Sequence, residues 1–142
     1  MVLIKRAIPA SLSIFLLLSS FSSHSQVYKF KAFQTCVRTP DDARDIEETD
    51  WNKTDILVVI NIDKGKIKTF GNKQGDYDII SVDETVKNNR GDNVVPYIAV
   101  DDEGNKCRIE VTIFNDQSGK HTATMNVIYP KVNIVFRLKR DE

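Results

Sequence analysis

The run from Asp55 to Phe70 limits the fold more tightly than any other part of the chain. Ile56, Val58, Ile60 and Ile62 fall at alternate positions, which puts them on one face of a β-strand. Lys64-Gly65 reads as a two-residue turn, because Gly65 takes the positive φ such turns need. The chain then returns through Ile67 to Phe70, with Ile62 opposite Ile67 and Asp63 opposite Lys66. Leu57 and Val59, on the second face, are apolar as well, so this strand is covered on both sides or lies centrally in a sheet. A two-stranded hairpin is not stable alone, so further strands must complete it.

The rest of the chain supplies them. Val27 to Val37 reads as a strand whose apolar phase slips after Ala32, which a bulge near Phe33 reconciles. Asp76 to Val82 and Val94 to Val100 are two more; Pro96 in the latter costs a ladder hydrogen bond and predicts an edge or a bulge there. Cys107, Ile109, Val111 and Ile113 alternate with Arg108, Glu110 and Thr112, the cleanest inside-outside pattern in the sequence. Ala123, Met125, Val127 and Tyr129 repeat it, as do Val132, Ile134, Phe136 and Leu138. The one segment without strand character, Arg38 to Asp55, opens on Thr39-Pro40-Asp41-Asp42, a helix-start signature. It has room for one or two turns and is either an acidic surface loop or a lid over an opening. Trp51, at its end, either plugs the core beside the hairpin or contacts a ligand.

Eight strands joined by short turns, with no helix long enough to cover a sheet, predict an all-β fold. The expected architecture is an eight-stranded antiparallel up-and-down meander closing into a small barrel. Such a barrel is filled by side chains or holds one small ligand.

Lys5 and Arg6, the apolar Ala7 to Leu18 and the small polar Ser19 to Ser25 form the three parts of a secretory signal peptide. Residues 1–25 are therefore read as a leader and 26–142 as a single β-barrel domain, secreted or periplasmic. The apolar run falls well short of the roughly 20 residues that cross a bilayer, and no Cys stands at the cleavage point, so no stable membrane anchor is expected. Cleavage leaves 18 basic against 20 acidic residues, a net charge of −2, which argues against nucleic-acid binding. In an oxidising compartment the two cysteines, Cys36 and Cys107, suggest one disulfide; the alternative is two buried free thiols.

The order of strands and the Trp before the hairpin resemble lipocalin-like or avidin-like barrels in architecture. More narrowly, Trp51-Asn52-Lys53-Thr54-Asp55-Ile56-Leu57-Val58, Tyr77-Asp78-Ile79-Ile80 and Asp101 to Ile109 resemble a group of small secreted bacterial proteins of no assigned activity. That resemblance implies secretion and the meander, and brings no functional residue with it.

If the first strand runs upward, the connections Arg38 to Asp55, Gly71 to Gly75, Asp101 to Asn105 and Pro130-Lys131 gather at the upper end. Trp51, Tyr77 and Tyr129 belong beside them, an aromatic rim that would suit an apolar or cationic ligand. Cys36 and Cys107 share that end, so a bridge is compatible with the meander, although a wide barrel holds non-neighbouring strands too far apart for it. The lower end carries Arg90-Gly91-Asp92, which matches integrin-recognition loops but is composed of ordinary turn formers.

Catalytic chemistry has little to build on. His121, the one histidine beyond the leader, points inward on strand parity as a core imidazole. No Gly-x-Ser-x-Gly turn, metal-ligand spacing or phosphate loop occurs, and no cofactor is implied. The reading is a non-enzymatic barrel that binds a small ligand or a protein partner. The alternatives are an inhibitor of an extracytoplasmic enzyme or a structural accessory domain. A lined cavity open at the upper end would favour a ligand, and a packed interior a protein partner.

Overall fold

The computed structural model describes residues 27–71, 74–119 and 121–141. The expected leader, residues 1–25, lies outside the described residues. Nine strands follow in order: β1 (Val27–Arg38), β2 (Asn52–Asn61), β3 (Lys66–Phe70), β4 (Gly75–Val82), β5 (Val86–Lys87), β6 (Asn93–Asp101), β7 (Lys106–Ile113), β8 (Ala123–Ile128) and β9 (Asn133–Arg140). Each long strand pairs antiparallel with its sequence neighbours, β4 meeting β6 directly, and β9 pairs with β1 to close the ring. This is the expected eight-stranded up-and-down barrel with one short extra strand, β5, which continues the line of β4 along β6.

Period-2 alternation decides the inside. Val58, Ile60, Ile67, Ile109, Met125, Val127 and Leu138 are at most 2% exposed and fill the barrel. Ala32, Ala99 and Ala123 sit among them where large side chains from facing strands need room. The bulge expected near Phe33 is present: the pairing of β1 with both neighbours shifts between Ala32 and Gln34. Its consequence is that Ala32 points inward, whereas Gln34 and Cys36 point out.

That phase change removes the expected disulfide. Cys36 lies buried on the outer wall, opposite Val135, while Cys107 belongs to the interior core. Both are free thiols. With one thiol on each side of a continuous sheet, a bridge would have to pass through the wall.

Two other expectations are corrected. The β2–β3 connection is a four-residue loop, with Ile60 opposite Ile67 and Asn61 opposite Lys66. Gly65 N–H donates to Ile62 O at 3.1 Å, Lys64 N–H to Asn61 Oδ1 at 3.1 Å, and Gly65 has φ 63°. The Asn61 side chain thus builds the turn two residues earlier than Lys-Gly alone would place it. Second, the helix start at Thr39 gives only a turn closed by Asp42 N–H to Thr39 O, followed by one 3-10 turn, Ile46–Glu48. The expectation for Pro96 resolves as a bulge and not an edge: β6 is paired on both sides, and between Val82–Tyr97 and Val86–Val94 the opposing chain carries one extra residue. Pro96 O accepts from Asp83 N–H at 2.9 Å, and a strand residue's N and C=O point the same way, so its missing N–H falls where β4 and β5 are interrupted.

Candidate functional site

With the interior filled, a cavity of about 450 Å³ lies on the outside, across β7, β8 and β9. Strand register fixes its floor. Three rows of outward residues cross β7–β8–β9–β1: Arg108, Ile128, Asn133 and Arg38; Glu110, Asn126, Val135 and Cys36; Thr112, Thr124, Arg137 and Gln34. Their sequence neighbours, such as Val111 and Met125, face the core, so the floor is held by the same alternation that packs the barrel.

Residues 39–51 form one wall. This segment covers no barrel mouth; it folds down the outside. Arg44 pairs with Asp42, Nη2 to Oδ2 at 2.9 Å, and Arg38 donates to the carbonyls of Asp42 and Arg44. The Arg44 hydrogen bonds hold the Asp42 carboxyl down at about 2. Thr49 lies buried over Cys36, its hydroxyl donating to Ile46 O at 2.7 Å. Arg137 pins wall to floor: it donates to Gln34 Oε1 at 2.8 Å and to Glu47 Oε2 at 2.7 Å, and its guanidinium lies 3.8 Å from the centre of the Trp51 ring. Trp51 Nε1–H donates to Ile46 O at 3.0 Å.

The loop from Asn88 to Asp92 forms the other wall. Asn88 Oδ1 accepts from Arg90 N–H and Asp92 N–H, Gly91 takes φ 82°, and Asp92 accepts from Asn115 N–H at 2.8 Å and Asn88 Nδ2 at 3.2 Å. Asp92 is 7% exposed with both carboxylate oxygens engaged, so the Arg90-Gly91-Asp92 tripeptide is a braced turn and cannot offer its aspartate to an integrin. The Arg90 side chain projects from this turn, with no ion-pair partner among the described residues.

His121 lines the cavity instead of the core. Strand β8 begins two residues later, so parity does not bind it, and its ring packs edge-on 4.9 Å from Phe114 and 6.1 Å from Phe33. Burial, helped by the Arg137 charge, pushes its pKa below the usual value, which leaves it neutral at pH 7. Three buried polar atoms of the floor have no hydrogen-bond partner among the described residues: Arg38 Nε, Asn126 Oδ1 and Asn133 Oδ1.

The three expected rim residues separate. Tyr77 and Tyr129 do meet at the upper end, where Tyr129 Oη donates to Asp101 Oδ2 at 2.8 Å and both rings lie against Cys107. Burial, then the hydrogen bond to the Asp101 carboxylate, pushes the Tyr129 phenol far up, so the phenol stays neutral beside that anion. Trp51 is on the outer wall, away from them and outside the interior core. Arg38, Asn126, Asn133 and Arg137 escaped the sequence reading, and Arg90 entered it only within the Arg90-Gly91-Asp92 tripeptide. The available signal was Asn at positions 126 and 133, inside strands, where asparagine is disfavoured unless its amide is used.

Comparison with protein-family models, with curated proteins and with solved structures finds no match to this chain.

Proposed function

We propose that the protein is a non-enzymatic, secreted or periplasmic β-barrel module that recognises its partner on the outer wall, in the groove between residues 39–51 and the Asn88–Asp92 loop. The observation that carries this reading is the packed interior beside an external cavity with walls on two sides. A solid barrel is a rigid scaffold, and its outward residues are free to vary without loss of the core. The leader-like N-terminal sequence and the resemblance to small secreted bacterial proteins support export. The groove holds no nucleophile next to a base: His121 lies between two phenylalanines and the carboxylates are engaged by arginines or backbone.

A second reading, inhibition of an extracytoplasmic enzyme, draws support from Arg90, an exposed cation at the tip of an internally braced turn. An apolar or cationic ligand at the upper mouth has less support, because Trp51 lies away from that end and the Tyr129 hydroxyl is engaged by Asp101.

Native mass spectrometry of protein recovered from its own host tests the proposal. Wild-type protein should carry a bound molecule, Thr124→Trp in the groove floor should lose it, and Tyr129→Phe at the upper end should keep it. Loss with Tyr129→Phe and retention with Thr124→Trp would place recognition at the mouth and overturn the proposal.

A further inference from the structure

We propose that the groove takes an acidic saccharide, one or two hydroxyl-rich rings bearing a carboxylate. This rests on the outer-wall reading and names the ligand class for the same site.

The floor sets the first requirement. Asn126 and Asn133 line the cavity as diagonal neighbours on adjacent strands, and each carries an amide oxygen with no partner. An amide offers two donors and an acceptor, and its terminal torsion is soft, so either end can turn toward a ligand. Thr112 and Thr124 add hydroxyls that both donate and accept. Groups of both senses side by side match a ligand whose groups do the same, which sugar hydroxyls do. An apolar ligand would leave these amides and hydroxyls desolvated and unpaired.

The charges set the second. Glu47 is held by Arg137, Glu110 by Arg108, Arg38 faces Asp42, and Asp92 is spent inside its turn. Arg90 is left as the uncompensated cation, enough for one carboxylate through a charge-assisted hydrogen bond. A phosphate dianion would face the carboxylates of Glu47 and Glu110 with only that one unpaired guanidinium.

Geometry removes the remaining competitor. A peptide adding as a strand needs an open backbone edge, whereas β7, β8 and β9 are each paired on both sides and present only side chains here. A volume of about 450 Å³ suits a compact ligand, and Trp51 and Phe114 provide aromatic wall for the C–H faces of a sugar ring.

Trp51 is the chain's sole tryptophan and reports directly on the groove. Galacturonate, neutral galactose and acetate are titrated against its fluorescence and, in parallel, by calorimetry. Galacturonate should bind saturably and about tenfold more tightly than galactose, acetate not measurably. Arg90→Ala should erase the difference between the sugars while leaving the neutral one unchanged; Asn126→Ala should weaken both. No saturable response to either sugar overturns the proposal, and so does acetate binding as well as galacturonate, which would mark a bare anion site. If both sugars fail but Thr124→Trp still strips the host-derived molecule, the ligand class falls and the outer-wall reading stands. If Thr124→Trp keeps that molecule, the reading falls with it.

Discussion

Thr124 and Met125 are adjacent in β8, one in the floor of the groove and the other fully buried in the barrel. The same parity governs the cysteines. Cys36 changes sides because the bulge after Ala32 reverses the phase of β1, and it ends beneath Thr49 on the outer wall. Denatured protein, kept from any reductant, should therefore take up two alkyl groups by mass spectrometry; a protein that takes up none contains the bridge. His121 yields a pH prediction of definite sign. Its folded pKa lies below its unfolded value of about 6.5, so the folded state binds this proton more weakly. The associated stability is complete above pH 6.5 and is lost as pH falls through the lower folded value. The ring protons of His121 should titrate by NMR with a midpoint below 6.5, and a midpoint above it would remove the burial between Phe33 and Phe114.

Among the elements, the wall formed by residues 39–51 depends on charge more than on secondary structure, since its only regular piece is the turn Ile46–Glu48. Asp42 anchors it through Arg44 and Arg38. Because its carboxyl is held at about 2, the anchor is complete above the unfolded value near 4 and is lost as pH falls through about 2. Trp51 emission should change over that interval at a pH where Met125 remains packed, whereas emission that follows global unfolding would show that wall and barrel open together. A second element effect comes from unequal strand lengths. Pairing of β3 with β4 ends at Lys66 and Asp78, so the later part of β4 and the short β5 show an open edge with Ile80, Val82 and Val86 exposed. Such edges recruit other strands. Val82→Lys should lower self-association in light scattering at high concentration while changing stability by no more than about 0.5 kcal/mol; unchanged association would clear this edge.

For the whole molecule, what was legible in the sequence followed alternation, and what was not followed side-chain capping and long-range register. The eight strands, the bulge near Phe33 and the filled inward positions of β7, β8 and β9 could be read because period 2 repeats within each strand. The hairpin register was off because Asn61 caps the turn through its side chain, which hydropathy does not register. The groove was not legible for a different reason. Its floor combines residues from β7, β8 and β9, and its walls come from segments about 40 residues apart in the chain, so only the closed register brings Arg38, Asn126 and Arg90 to one surface. The outward rows were visible as polar positions, but a polar position in a strand is by default only a solvated one. Trp51 was read as a core plug or a rim residue, whereas its place on the wall is set by Arg137, 86 positions further along.

The central claim is that this barrel is solid and recognises its partner from outside. Met125, the one methionine among the described residues, reports on the interior through its methyl group, and the Trp51 indole N–H reports on the groove. A single NMR titration with galacturonate reads both. The account predicts that the Trp51 resonance and the amides of Thr124 and Asn126 shift together to saturation while the Met125 methyl stays in place. A saturable shift of the Met125 methyl with the Trp51 resonance unmoved would put the ligand inside the barrel and contradict it.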